Sequence, residues 1–217
     1  MIPSRLKEEE LFAQGHRVVI AMDEVGRGAL AGPVSVSAAV FLADLGEGPE
    51  GVKDSKLVSE KKRGPLAQEI SEWLPAVVVG ESSPGEVDQV GITRALGRAG
   101  ARALGQLSSW LDQSHRPVVL LDGHHDWLSS HLDYAIRVVT QVKADRDCLS
   151  VAASSLVAKV TRDRYMVGVD PQFPHYGFAS NKGYGSTDHM AAIDQFGPCP
   201  IHRMTWLRPT ELPLEQG

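Results

Sequence analysis

Five short segments rich in β-branched and small apolar residues constrain the fold of this 217-residue chain more than any other feature. Two of these segments alternate apolar and polar side chains, as a strand with one polar face does. The other three are short apolar runs, which is typical of buried strands. We therefore predict strands at residues 17–22, 33–41, 76–79, 118–121 and 136–142.

Segments with helical spacing separate several of the predicted strands. Apolar residues recur every three to four positions in residues 66–74, with Pro65 near the first turn, and again in residues 92–110. Residues 149–160 are apolar nearly all round, which predicts a buried helix. Residues 188–196 are predicted to form a short final helix.

The order of these segments predicts a single α/β domain over residues 1–217. Strands come first as a meander and later alternate with helices, so we expect a mixed five-stranded sheet flanked by helices on both faces. The tail from about Arg208 is expected to pack loosely. Hydrophobic residues make up 42% of the chain and charged residues 23%, which indicates a globular domain.

The cysteines and the apolar segments bear on location. Cys148 and Cys199 are far apart and in no metal-ligand spacing, which favours reduced thiols in the cytoplasm. The sequence contains no recognisable signal peptide and no apolar run of the ~20 residues that a membrane helix needs. The net charge of −5 argues mildly against a nucleic-acid partner, but a carboxylate site that binds cations would itself add negative charge.

Three of the predicted strands lead into acidic residues. Asp23 and Glu24 follow the first strand, Asp122 follows the fourth, and Asp145 comes shortly after the fifth. If these strands are neighbours, the acids cluster at one edge of the sheet, where ligand sites of α/β proteins lie. Such oxygen ligands suit Mg²⁺ or Mn²⁺, and two ions ~3.5–4 Å apart could clamp a phosphodiester. Ordinary loop acids are the alternative, and the spacing alone does not decide.

One structural condition applies to the adjacent acids. Neighbouring residues on a regular strand point to opposite faces. Asp23 and Glu24 should therefore share a site only if the strand ends or bulges there, and Gly26 and Gly28 favour an irregular backbone.

Five motifs occupy most of the chain in a fixed order. They are DEVGRG at 23–28 with AGPV at 31–34, DSKL at 54–57 with KKR at 61–63, LDG at 121–123, KAD at 143–145 with SVAASSLVAKVTRD at 150–163, and NKGYG at 181–185 with His189. In this order they resemble bacterial ribonuclease HII, the type 2 ribonuclease H family. Any one motif alone is weak, whereas five in order are specific.

The resemblance implies an RNase H-like fold and an endoribonuclease. Its substrates would be the RNA strand of RNA–DNA hybrids and ribonucleotides embedded in duplex DNA, cut by two metal ions to leave 5′-phosphate and 3′-hydroxyl ends. The family's catalytic, metal-binding acids correspond to Asp23, Glu24, Asp122 and Asp145. These are the same four acids that follow the predicted strands.

The resemblance also implies substrate-binding residues. Gly26, Arg27, Gly28 and Tyr184 correspond to positions that read the ribose 2′-hydroxyl at the RNA-to-DNA junction, and Lys56 and Ser155 to positions near the substrate phosphates. The 2′-hydroxyl is what distinguishes RNA from DNA, and glycine lets the backbone approach a ligand closely. We expect a basic patch along the phosphate backbone at Lys53, Lys56, Lys61, Lys62 and Arg63. The arginines at 94, 98 and 102 remain open between substrate contact and a solvated face.

Several positions depart from the family pattern. His124, followed by His125, stands where an asparagine is usual, and adjacent loop histidines are more often solvated than zinc ligands. Gly64-Pro65 interrupts a segment that is usually one continuous helix, and Gly91 replaces a common asparagine. None of these departures affects the four acids.

Two other functions remain open. A ribonuclease HIII or another RNase H-fold metal nuclease would keep the fold and change the substrate, and the lack of a further domain before the first strand argues against the HIII form. A non-catalytic nucleic-acid-binding module is disfavoured, since carboxylates repel phosphates unless cations are present. We expect a monomer, with the tail from Arg208 as a candidate contact for a replication clamp.

Overall fold

The computed structural model describes residues 2–53 and 58–207. Lys56 and the tail from Arg208 therefore lie outside the described residues, and their predicted contacts remain predictions. Within those two ranges one sheet contains five strands: β1 (Val19–Val25), β2 (Val34–Phe41), β3 (Val77–Ser82), β4 (Val118–Asp122) and β5 (Arg137–Gln141). Each predicted strand is confirmed, although β1 and β3 extend further than the sequence pattern indicated.

The sheet is mixed, as predicted, with the strand order β3-β2-β1-β4-β5. The strands β1, β2 and β3 are antiparallel neighbours, whereas β4 and β5 run parallel to β1. The carboxyl ends of β1, β4 and β5 therefore meet at one edge of the sheet. That edge is where the predicted acids lie.

Helices cover both faces of the sheet. In the described part of the chain they are α1 (Leu6–Ala13), α2 (Glu60–Trp73), α3 (Pro84–Val90), α4 (Ile92–Gly105), α5 (Ala144–Asp147), α6 (Leu149–Val169), α7 (Phe178–Asn181) and α8 (Thr187–Phe196). The buried helix over 149–160 and the final helix are confirmed. The helix predicted over 92–110 ends at Gly105, and its last residues form a separate 3₁₀ turn at Ser108–Trp110.

Helix α2 continues through Gly64 and Pro65, so the predicted break there is wrong. Proline removes one hydrogen bond from a helix interior. The buried side chains of Leu66, Ala67 and Ile70 hold the second half of the helix against the core. We infer that this burial outweighs the lost hydrogen bond.

Two hydrophobic clusters sandwich the sheet. One contains α6 and α2, and the other contains α4. A third, smaller cluster packs Tyr176, Phe178 and Ile193 beside Ala31, which follows β1. No helix within the two described ranges is long and apolar enough to cross a lipid bilayer.

The arginine stripe on α4 is partly structural. Arg102 donates to both carboxylate oxygens of Glu86 on α3, at 2.6 and 3.0 Å, and to the main-chain oxygen of Glu81 on β3 at 2.6 Å. Arg98 approaches the same Glu86 carboxylate at 3.9 Å. These contacts tie α3 and α4 to β3, which favours a structural role for these two arginines.

Candidate active site

The strand β1 extends beyond its parallel neighbour β4. The last β1–β4 pair is Met22 with Leu121, whereas pairing with β2 continues without interruption to Val25 opposite Ser35. The strand break or bulge that we predicted at Asp23 and Glu24 is therefore wrong. Both acids lie in a regular part of β1, at the end where β1 still pairs with β2 but no longer with β4.

The two acids point to opposite faces of the sheet and still line one cavity. Asp23 shares its face with Ala21, which packs in the α6 cluster, and Glu24 shares its face with Met22, which packs in the α4 cluster. Because β4 stops pairing at Met22, the sheet edge is open and side chains from both faces reach the same space. The cavity has a volume of about 240 Å³.

Ten residues were predicted for catalysis, metal binding and substrate binding, and the structure brings together all nine of them that it describes. The cavity is lined by Asp23, Glu24, Val25, Gly26, Arg27, Gly28, Asp122, Asp145, Ser155, Lys159 and Tyr184. Lys159 was not among the predicted residues. It follows Ser155 by one helical turn within the fourth motif, so helix periodicity could have identified it.

The carboxylates influence one another across this cavity. Asp23 is only 7% exposed, and its burial raises the pKa of that carboxyl well above its usual range. The nearby charges of Glu24, Asp122 and Asp145 raise the pKa further, and a hydrogen bond with Ser155 opposes them. Burial also raises the pKa of Glu24, opposed by Arg27 at 3.3 Å. The four acids therefore repel one another in a common space that a cation would neutralise.

Hydroxyl groups fix helix α6 against β1 next to these acids. Ser154 donates to the main-chain oxygen of Ala21 at 3.0 Å, and its hydroxyl lies 2.7 Å from that of Ser37 on β2. The neighbouring Ser155 is thereby held beside Asp23. The main-chain N–H of Asp145 donates to the Asp122 carboxylate at 3.3 Å, which links the acids that follow β4 and β5.

The donor set fits hard divalent cations. All four acids supply oxygen atoms, which Mg²⁺ and Mn²⁺ prefer, and their mutual repulsion is relieved by positive charge. Within the described ranges, no three acidic, histidine or cysteine side chains already form a closed metal cage.

The loop after β1 is held by two buried arginines that the sequence did not single out. Arg203 donates to the carbonyl oxygens of Gly26 at 2.7 Å and Arg27 at 2.9 Å. Arg162 donates to those of Pro33 at 2.9 Å and Lys182 at 2.9 Å, and also to Ala31. Both side chains are fully buried, and burial lowers the pKa of Arg203 to about 10. Arg162 belongs to the fourth motif, whereas Arg203 lies outside every motif.

Other predicted features can be placed as well. Tyr184 is 37% exposed, and the Arg162 guanidinium lies 5.4 Å from the centre of its ring. His124 and His125 are exposed, as expected for solvated loop histidines, and line an adjoining cavity of about 460 Å³ with Glu24 and Arg27.

A mixed sheet of this topology, with carboxylates from β1, β4 and α5 around one cavity, defines an RNase H-like metal-dependent nuclease. The family model of Ribonuclease HII matches residues 20–209. The chain belongs to the ribonuclease HII family and is an endoribonuclease, a type 2 ribonuclease H.

Individual relatives agree with this assignment. The chain is 42% identical over 212 residues to Ribonuclease HII of Streptomyces avermitilis, covering 97% of this chain and 86% of the relative. It is 46% identical over 199 residues to Ribonuclease HII of Geobacter metallireducens, covering 92% and 88% of the two chains. The structure of a PCNA:RNase HII complex from Archaeoglobus fulgidus superposes with a TM-score of 0.69 at 26% identity, covering 88% and 96%.

Proposed function

We propose that this cavity hydrolyses the RNA strand of RNA–DNA hybrids and also cuts at single ribonucleotides embedded in duplex DNA. The observation that carries the proposal is the shared cavity. It is lined by four carboxylates and by a second group, the Gly26–Gly28 backbone and Tyr184, which we call the ribose-reading wall. A ribose bound at the ribose-reading wall would have its phosphodiester beside the four acids.

The four acids Asp23, Glu24, Asp122 and Asp145 would hold Mg²⁺ or Mn²⁺. Two such ions would supply a nucleophilic water and stabilise the leaving oxygen, giving 5′-phosphate and 3′-hydroxyl ends. Ser155 is buried and bonded to Asp23, so it would hold that carboxylate in place. A contact between Ser155 and a substrate phosphate remains a prediction.

The ribose would be read by main-chain groups and one phenol. Gly28 is exposed, and a Cβ at this position would meet no other atom within 4 Å, so a sugar can approach its backbone. Arg27 is exposed and pairs with Glu24, from where its guanidinium can reach a phosphate. Tyr184 supplies a ring for stacking and a hydroxyl for hydrogen bonding.

A sliding clamp is a further candidate partner. The Archaeoglobus fulgidus relative was solved in complex with PCNA. We propose that this chain acts as a cytoplasmic monomer and that its tail from Arg208 contacts a clamp. Deleting residues 208–217 should abolish co-elution with the clamp and leave cleavage of a hybrid unchanged.

Cleavage of four end-labelled substrates tests the proposed function. These are an RNA–DNA hybrid, a DNA duplex with one ribonucleotide, duplex RNA and duplex DNA, each with Mg²⁺, Mn²⁺ or a chelator. We expect metal-dependent cleavage of the first two substrates only, with products that a ligase can join to a 3′-hydroxyl. Equal cleavage of duplex RNA would contradict the proposed substrate, and cleavage in chelator would contradict the metal mechanism.

A further inference from the structure

Arg203 holds one half of the ribose-reading wall. Its guanidinium donates to the carbonyl oxygens of Gly26, Arg27 and Gly32, at 2.7, 2.9 and 3.2 Å. The side chain is fully buried and also lies 4.8 Å from the centre of the Trp206 ring. A buried guanidinium satisfied by three carbonyls in one loop fixes the path of that loop.

His202 reaches the other half through a second histidine. The N–H of Cys199 donates to Nδ1 of His202 at 2.9 Å, so the proton of this ring is on Nε2. That Nε2 lies 3.0 Å from Nε2 of His189, and Nδ1 of His189 lies 2.8 Å from the carbonyl oxygen of Tyr184. A carbonyl oxygen only accepts, so His189 donates to Tyr184 and accepts from His202.

Two neutral imidazoles thus form a directional chain from Cys199 to Tyr184. Burial lowers the pKa of His189, and burial together with the neighbouring His189 lowers the pKa of His202 to about 4. The Cys199 carbonyl, 3.2 Å from Nδ1 of His202, accepts the main-chain N–H of His202 at 2.9 Å and so has a partner without a proton on Nδ1. The assigned tautomers therefore satisfy both rings.

The main chain brings the same segment against the loop after β1. Ala31 and His202 form an antiparallel bridge, and the N–H of Arg203 donates to the carbonyl of Leu30 at 2.8 Å. The N–H of Leu30 donates in turn to the carbonyl of Gly183, next to Tyr184, at 2.8 Å. Adjacent side chains at 202 and 203 therefore anchor both halves of the wall from one short segment.

We propose that His202 and Arg203 are positioning residues that set the separation between the Gly26–Gly28 loop and Tyr184, and thereby set the preference for a ribose at a junction. The inference rests on the proposed function of that wall. Neither side chain lines the cavity, so each acts through the groups that it holds. A misplacement of the wall by about 1 Å is enough to lower the rate of a positioned reaction on the order of 100-fold.

The test compares two substrates in the same variant. Arg203→Lys keeps the charge but loses the planar fork that spans three carbonyls, and His202→Phe keeps a ring but removes the relay. For each variant, kcat/KM is measured on a duplex with one ribonucleotide and on a fully RNA–DNA hybrid. We expect the ratio of the two values to fall at least about tenfold. An unchanged ratio would overturn the proposal.

A matched variant separates positioning from lost stability. Ile193→Ala removes a buried side chain from the same cluster as Cys199, at a position that does not line the cavity, and we expect a lower thermal midpoint. It should lower both kcat/KM values by the same factor and leave their ratio unchanged. If Arg203→Lys and His202→Phe behave in this way, their role is structural and the proposal is wrong.

The wild-type protein provides a second measurement should the variants not fold. Nitrogen-15 NMR of labelled histidines should show His189 protonated on Nδ1 and His202 on Nε2 at neutral pH. The opposite tautomer at either ring would contradict the relay. Should the wild-type enzyme not prefer the single-ribonucleotide duplex to duplex DNA, the proposed function fails instead, whatever the tautomers are.

Discussion

The guanidinium of Arg162 lies over the ring of Tyr184, 5.4 Å from its centre, and joins helix α6 to this exposed tyrosine, which we propose reads the ribose. The same guanidinium donates to the carbonyl of Lys182, two residues before that tyrosine. The position of Tyr184 thus depends on a helix that also carries Ser155. Under the proposed function, ribose recognition and catalysis would therefore depend on the same helix.

Tyr184→Ala should impair junction cleavage much more than folding. The side chain is 37% exposed, so its removal should change the thermal midpoint little, whereas loss of the ring and hydroxyl should lower kcat/KM on a single-ribonucleotide duplex on the order of tenfold or more. Tyr165→Ala is a suitable control, because Tyr165 is 38% exposed and lies on α6 outside the cavity. Equal cleavage rates for the two variants would contradict a role of Tyr184 in junction cleavage.

Gly26→Ala and Gly28→Ala should have different effects. Gly26 has φ of +79°, and a Cβ there would overlap the buried Arg162 side chain, so its replacement should lower the thermal midpoint by several degrees. A Cβ on Gly28 meets no atom within 4 Å, so its replacement should preserve the midpoint and weaken junction cleavage. Thermal unfolding and cleavage of both variants check this, and a stable, fully active Gly28→Ala would contradict backbone contact with the ribose.

Asp23→Asn or Asp145→Asn should abolish cleavage while hybrid binding survives. In the proposed mechanism each carboxylate would contribute charge to a metal site that stabilises the transition state by several kcal/mol, so we expect a rate loss of at least about 100-fold. Affinity measured by fluorescence anisotropy should change little. Asp44→Asn, at an exposed position away from the cavity, serves as the control. Near wild-type rates in both site variants would remove these acids from catalysis.

Glu86→Gln should weaken the attachment of α3 and α4. The hydrogen bonds from Arg102 lower the pKa of Glu86 from 4.5 to about 2. The ionised Glu86 therefore stabilises the folded protein fully above pH 4.5, and this stabilisation is lost as pH falls toward 2. After allowance for partial exposure, we expect a loss of about 1–2 kcal/mol at pH 7. Urea unfolding at pH 7 measures it. Glu69→Gln, an exposed change on α2, should cost almost nothing, and an equal loss in both would refute the assignment.

His202 should make the protein less stable in mild acid. Its pKa is lowered from 6.5 to about 4, so between these pH values the unfolded chain binds a proton at His202 and the folded protein does not. The difference in pKa stabilises the folded protein fully above pH 6.5. This stabilisation is lost as pH drops toward 4, and the loss amounts to about 3 kcal/mol across that window. The groups around the ring are His189, Tyr176, Phe178 and the Cys199 thiol. His202→Phe should show a flatter stability profile between pH 6.5 and 4, and an identical slope would contradict the shift.

The strands and the placement of the four acids after strands could be predicted because these signals are local, whereas the choice between a metal site and ordinary loop acids needed the family resemblance. A β-branched run predicts a strand by itself, and Asp122 was placed correctly because it ends such a run. The end of α4 at Gly105 and the continuation of α2 through Pro65 could not be predicted, since packing against the rest of the protein decides both. Helix propensity is too weak to override burial.

The predicted bulge at Asp23 failed for a related reason. The sequence shows that neighbouring acids on a strand diverge, but it does not show that β4 stops pairing one residue earlier. The role of Arg203 could not be predicted either, because it donates to carbonyl oxygens 176 and 177 residues away along the chain. Carbonyl acceptors carry no residue identity, so no sequence pattern could indicate these contacts.

The regular pairing of β1 has a consequence for how misfolding would show itself. A slip of one residue against β2 would move Asp23 to the α4 face and Glu24 to the α6 face. The slipped protein would keep its strands, its helices and its overall charge, and circular dichroism would hardly distinguish it. Ser155 would then no longer lie beside Asp23. The cleavage rate would therefore report the register of this strand more sensitively than circular dichroism.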